Sequence, residues 1–341
     1  MKRIALLSTL FSASLTFAAS YSTNPDAGTT LDWNDPNSWL ADGVATESAP
    51  TNADTLAVAA STPINIVLDG GTGVCNAGNY AGVPGSKVTI KNNATWNMVF
   101  VYTMTDWDFD VTDSTVNGFF AIAGGTSVSN FTNSALNGNF GAWGASASTL
   151  NLKNSTFAGD INYTFGGASD RSISISFENS VYNSNKSTLY DNDDFYALSE
   201  LNMEFLGSQN DIQMNVLKVN EGEFSFVGDA DGITTLNVGS FSIGESMSLN
   251  IDFTKSINFV GTENFEVLVS DPSSTIDTET FNKISANFTL ANANDSAVLK
   301  LSDLGDSIYV EYTSTAVPEP GTYAAIFGAI ALGFAAYRRR K

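Results

Sequence analysis

The chain has 341 residues, with 15 Lys and Arg against 36 Asp and Glu, a formal charge of −21, one cysteine and no histidine. That composition excludes a His-based catalytic triad or dyad, a zinc site with His ligands and, because Cys75 stands alone, an intramolecular disulfide. Only 15% of the residues are charged, where about 25% is usual, so small uncharged Ser, Thr, Asn and Gly carry the polarity. Those side chains compete for backbone hydrogen bonds, and Gly weakens a helix by about 1 kcal/mol relative to Ala, so an all-β protein is expected. The length allows one large domain or two ordinary ones, and 43% apolar residues suffice for a substantial core.

Residues 1–20 open with Lys2 and Arg3, run apolar from Ile4 to Phe17 and finish in Ala18, Ala19 and Ser20. This is the pattern of a secretory signal peptide, a short helix cut between about residues 18 and 21. Residues 21–70 follow as an expected N-terminal cap. Trp33, Asn34, Trp39, Pro50 and Asp54, then Thr55-Leu-Ala-Val, resemble the opening of autotransporter-like β-helices. A structural cover for the first coil fits them best, because an uncapped coil invites end-to-end pairing.

Between residues 71 and 260 one element recurs: an apolar residue, any residue, a turn-former, then often Ser. The copies begin at Ile90, Val111, Phe131, Leu152, Phe177, Phe205, Phe226 and Phe259, with steps of 21, 20, 21, 25, 28, 21 and 33. A period near 21 predicts a right-handed parallel β-helix, since one such coil cannot bury its apolar face alone and stacking does. Leu150-Asn-Leu152 and Ile173-Ser-Ile175-Ser-Phe177 alternate apolar and polar residues, one face in and one out. The Asn or Asp after each strand marks the corner. Asn tolerates left-handed backbone angles, and Asn at the same corner of successive coils is expected to form a hydrogen-bonded ladder.

Several residues are candidate sites. Asp106, Asp108 and Asp110 alternate along one strand, which spaces their carboxylates by about 7 Å on one face, a candidate for Ca²⁺ with help from neighbouring coils and otherwise a solvated face. Asp229 and Asp231 belong to Asp-Ala-Asp-Gly, half of a calcium loop or simply a charged turn, and Asp191-Asn-Asp193-Asp194 reads as another loop. Trp107 and Trp143 are candidate sugar-stacking platforms if they face outward, as is Trp96, although inward aromatics suit a narrow solenoid. Cys75 reads as a small buried residue. Arg171, preceded by Asp170, is the one arginine between the two terminal segments, so nothing in the spacing singles out a catalytic pair, and no enzyme activity is expected.

Residues 261–312, with Phe265-Glu-Val-Leu-Val and Ser307-Ile-Tyr-Val-Glu-Tyr, read as closing strands, and residues 313–316 as a linker. Residues 317–341 combine Val317-Pro318-Glu319-Pro320, a 17-residue apolar run from Gly321 to Tyr337, and Arg338, Arg339, Arg340 and Lys341. The run is just long enough for a transmembrane helix, and the terminal cations place its end in the cytoplasm. This tail resembles the PEP-CTERM sorting signal, the bacterial element recognised by exosortase. The resemblance covers the tail alone. It implies export across the inner membrane of a Gram-negative bacterium, cleavage near Pro318, Glu319 and Pro320, with the terminal arginines as the cytoplasmic anchor, and delivery to the cell surface or an extracellular polysaccharide matrix. Removing both terminal segments leaves 9 cations and 35 anions, −26, a surface that repels nucleic acid and attracts cations or serves solubility. The sequence therefore reads as a non-catalytic structural or adhesive rod, with a carbohydrate-binding or carbohydrate-cleaving β-helix as the alternative. Expected partners are the secretion machinery and exosortase, then polysaccharide.

Overall fold

The computed structural model describes residues 19–51, 53–59, 61–75, 77–98, 101–118, 120–162, 172–187, 200–254, 261–271, 274–291, 295–314 and 327–330. Strand makes up most of the described residues, arranged as a parallel β-solenoid of about six turns. The repeat column read from the sequence is the register itself. Leu68 pairs with Ile90, Ile90 with Val111, Val111 with Phe131, Phe131 with Leu152, Leu152 with Phe177, Phe177 with Phe205 and Phe205 with Phe226. The last expected copy is displaced. Phe226 pairs with Ile251, not Phe259, and Ile251 pairs in turn with Leu290, while Phe259 lies outside the described residues.

This column points inward. Phe131, Leu152, Phe177, Phe205, Phe226 and Ile251 are each at most 1% exposed, and burial of one such side chain contributes about 1.5–3 kcal/mol. The rings of Phe177, Phe205 and Phe226 stack at 5.4 and 4.8 Å between centroids, because parallel in-register pairing brings like side chains over one another every rung.

Four strands of successive coils end at a corner in the left-handed region, with Asp113, Asn133, Asn154 and Asn179 at φ between 48° and 51°. Asn and Asp accept this conformation at less strain than branched residues. Their side chains form the expected ladder: Asn133 Nδ2 donates to Asp113 Oδ1 at 3.1 Å, Asn154 Nδ2 to Asn133 Oδ1 at 3.3 Å and Asn179 Nδ2 to Asn154 Oδ1 at 3.4 Å. The next residue along makes a second, buried ladder. The backbone N–H groups of Ala94, Ser114, Ser134 and Ser155 donate to Ser114, Ser134, Ser155 and Ser180 Oγ, all at 3.1–3.2 Å. Asn210 Oδ1 takes over above, accepting from Ser180 N–H at 2.8 Å. Corner amides that would otherwise be buried without partners are thereby satisfied rung by rung.

Glycine is obligatory at one further column. A Cβ on Gly138 would stand 1.8 Å from Gly118 O, and one on Gly159 2.0 Å from Gly138 O, so successive rungs touch backbone to backbone there.

The stretch expected to be a cap already stacks in parallel. Ser20–Thr23 pairs with Thr55–Ala59, and Thr30–Asp32 with Asn65–Asp69. Covering is done by a smaller piece, the strand Trp39–Ala41, antiparallel to Ser20–Thr23. Trp33 and Trp39 are buried, Trp39 Nε1 donates to Trp33 O at 2.9 Å, and Trp33 packs 4.8 Å from Trp96 in the adjoining coils. At the other end Ser307–Ser314 pairs antiparallel with both Gly261–Ser270 and Ser296–Leu301. A helix not expected from the sequence, α1 (Thr278–Ala286), packs on the strand Leu236–Asp252. Asp277 caps it, with Oδ1 accepting from Thr280 N–H at 2.7 Å, and the Glu279–Lys283 pair at 3.0 Å lies one turn apart.

Candidate functional site

Alternation turns every second side chain of the long strands outward, building a polar sheet face along the solenoid. One line across it is continuous. Lys87 Nζ donates to Asp110 Oδ2 at 2.7 Å, Asn130 Nδ2 to Asp110 Oδ1, Asn151 Nδ2 to Asn130 Oδ1 and Ser176 Oγ to Asn151 Oδ1, the last three at 2.9 Å. Burial pushes the Asp110 carboxyl up, but the hydrogen bonds from Asn130 and Lys87 and the lysine charge outweigh it and hold it below the ordinary value.

The three strand aspartates do not converge on a common point. Asp106 sits at φ 58°, at a break in the strand register, and accepts from Thr126 N–H at 3.3 Å. Asp108 accepts from Val128 N–H at 2.9 Å, and Asp110 is engaged as above. Each carboxylate accepts a hydrogen bond from the following rung, and no set of three acidic, His or Cys side chains placed to hold a metal occurs among the described residues. The three carboxylates stay half-buried on the outward side of the strand, between the buried Trp107 and Phe109.

Asp229 is a turn-holder. Its Oδ2 accepts from Ser208 N–H at 2.8 Å and Ser208 Oγ at 3.1 Å, and its Oδ1 from the N–H groups of Asp231 and Gly232 at 2.9 and 3.1 Å. Burial raises its carboxyl, yet these donors win and keep it below the ordinary value. Asp231 is exposed at the tip of that turn. The pair forms a charged turn.

Trp107 is 0% exposed, and so is Trp96, whose ring lies 6.5 Å from Phe109. The stacking platform expected at Trp107 is corrected accordingly: its position in the strand is an inward one, and no ring face meets solvent. The side chains of Cys75 and Trp143, all of Asp170, Arg171 and Asp191-Asn192-Asp193-Asp194, and the tail residues Pro318, Glu319, Pro320, Arg338, Arg339 and Arg340 lie outside the described residues. Among the described residues no helix is long and apolar enough to cross a membrane; most of the run from Gly321 to Tyr337 is not among them.

Two concavities went unread in the sequence. The larger, about 610 Å³, lies on the outward sheet face and carries Glu200, Glu204, Glu221 and Glu223 among Thr, Ser and Asn residues, with no cation in its lining. Asn202 ties it together, donating to Glu200 Oε1 and accepting from Glu223 N–H, both at 2.9 Å. The signal was present in Glu200-Leu-Asn-Met-Glu204 and Glu221-Gly-Glu223, where polar residues recur at every second position. The smaller, about 540 Å³, lies at the C-terminal end between the Asp231 turn and the antiparallel strands.

No family model, no curated protein and no solved structure matches this chain.

Proposed function

We propose that this protein is an exported bacterial surface or matrix component, a right-handed β-solenoid that acts as a non-catalytic structural or adhesive rod. The hand is that in which crossovers between parallel strands ordinarily close. Its N-terminal segment directs export and is removed between about residues 18 and 21. Its tail, through Pro318, Glu319 and Pro320 and the terminal arginines, is processed by an exosortase, which leaves the solenoid at the cell surface or in extracellular polysaccharide.

The observation that carries this reading is the way rungs are joined. Buried Ser Oγ atoms and exposed Asn amides link coil to coil along the corner from Ala94 to Asn210, with Asp113 the one charged member, so rigidity is built mainly from neutral groups that salt does not screen. Such construction suits a spacer working outside the cell. Intact-mass measurement and N-terminal sequencing of the protein recovered from its native cells test the proposal. A chain beginning near Ala19–Tyr21 and lacking Arg338–Lys341 is expected; recovery with both termini intact would contradict it.

A further inference from the structure

The smaller concavity differs in kind from the rod face, because aromatic rings and carboxylates share its lining. Tyr309, Phe265, Asp231, Glu266, Asn264 and Thr235 are among the residues that line it; Tyr309 pairs with Glu266 and shares its face of the terminal sheet, whereas Phe265 pairs with the buried Val310 and turns to the other face. Its volume, about 540 Å³, falls within the range of about 300–1,000 Å³ usual for small-ligand sites.

The walls are held from behind. Phe265 packs 5.0 Å from Phe253, which stacks 4.1 Å from the buried Tyr312. The Asp231 turn is fixed by its two N–H bonds to Asp229, and Gly232 lies so close that a Cβ there would touch the Phe265 ring at 3.4 Å. Thr235 Oγ1 donates to Glu266 O at 3.0 Å, tying the turn to the strand Gly261–Ser270. On the terminal sheet Tyr309 stands between Glu266 on one neighbouring strand and Lys300 on the other.

Charge decides the ligand class. Lys300, the nearest cation in register, is held by Glu311 at 2.5 Å. Among the described residues neither Asp231 nor Glu266 forms an ion pair. A ligand suited to this cleft therefore brings a flat apolar face for the Tyr309 ring beside Glu266, hydroxyls for the amide and hydroxyl groups, and a positive charge for the carboxylates. We propose that the cleft binds a saccharide ring bearing a protonated amine, such as the glucosaminyl unit of a de-acetylated amino-polysaccharide. This requires only the fold described, and it stands or falls apart from the export reading.

Calorimetric titration of the purified full chain with a β-1,4-linked glucosamine tetramer, its N-acetylated counterpart and cellotetraose tests the assignment. The glucosamine tetramer is expected to bind about tenfold or more tighter than the other two. Tyr309→Ala and Glu266→Gln are each expected to weaken it by about tenfold, while Tyr309→Phe retains it. Glu204→Gln, in the separate groove on the rod face, is expected to leave affinity unchanged, and circular dichroism shows whether each variant keeps its strands. No binding, an equal loss in Glu204→Gln through the bulk negative field, indifference to Tyr309→Ala in a folded variant, or equal affinity for the neutral tetramer would each overturn the proposal.

Discussion

Replacing Ser134 with Ala removes one link from the buried serine ladder and tests whether that ladder holds the coils together. Ser134 Oγ accepts from Ser114 N–H at 3.1 Å and donates to Thr132 O at 2.7 Å, with Val111 O at 3.3 Å as a second acceptor. Ser134 is 6% exposed, and so is Ser114. Alanine fills nearly the same space, so the cavity contribution is small and the loss is that of hydrogen bonding. The orphaned Ser114 N–H is too buried to find bulk water, which costs about 1–3 kcal/mol. The expected result is a fall in unfolding free energy of about 2 kcal/mol, read from the shift of the urea midpoint at unchanged slope. Ser242→Ala, at an exposed position, is the reference and is expected to stay within about 0.5 kcal/mol of the parent. If the two variants unfold at the same urea concentration, the buried ladder is not what joins the rungs, and the reasoning fails.

Gly138→Ala is expected to be more damaging than Ser134→Ala, by about 3 kcal/mol or more, or to prevent soluble expression, since its Cβ would overlap Gly118 O; thermal melting compares the two. At Asn133, with φ 51°, Gly is expected to be tolerated and Val to cost about 1–2 kcal/mol more than Gly in urea unfolding, because only Val adds steric strain in the left-handed region. Asp110 has a folded-state pKa below its unfolded value of 3.8, so its bonds to Asn130 and Lys87 stabilise fully above that value and are lost as pH falls through the folded pKa. Asp110→Asn is therefore expected to be less stable than the parent at about pH 6 and to converge on it at about pH 2; a gap that widens in acid would reverse the assignment.

The register was legible because the strands of the central coils write the same short word at their ends, beginning at Val111, Phe131, Leu152 and Phe177. Apolar residue, any residue, Asn or Asp, then Ser names the inward stack, the left-handed corner and the buried hydroxyl in order, and a step near 21 aligns them. Legibility ended where the word changes. Ile251-Asp-Phe-Thr lacks the Asn-Ser pair, and Phe259-Val-Gly-Thr imitates the pattern 33 residues after Phe226, so the false copy was the easier one to see. The opening coil was hidden for another reason. Tyr21 and Leu31 pair with Leu56 and Ile66, but Trp33 and Trp39 between them draw the eye to a cap. Helix α1 is short, and only Ile284 in it is buried, which leaves little apolar periodicity to read. For the sites, the aspartate line Asp106-Trp-Asp-Phe-Asp looks like a uniform strand because a left-handed residue inside it leaves no mark on the alternation. The cleft at Tyr309 was out of reach altogether: its turn and its strands are joined by tertiary packing across residues far apart in the chain.

Surface labelling of intact native cells, comparing the parent with a variant carrying Ala at Pro318, Glu319 and Pro320, tests the central claim most directly. Label is expected on cells with the parent chain, and loss of label with retention of the uncut variant in the inner membrane. Equal labelling of both, or a parent chain confined to the cell interior, would contradict it.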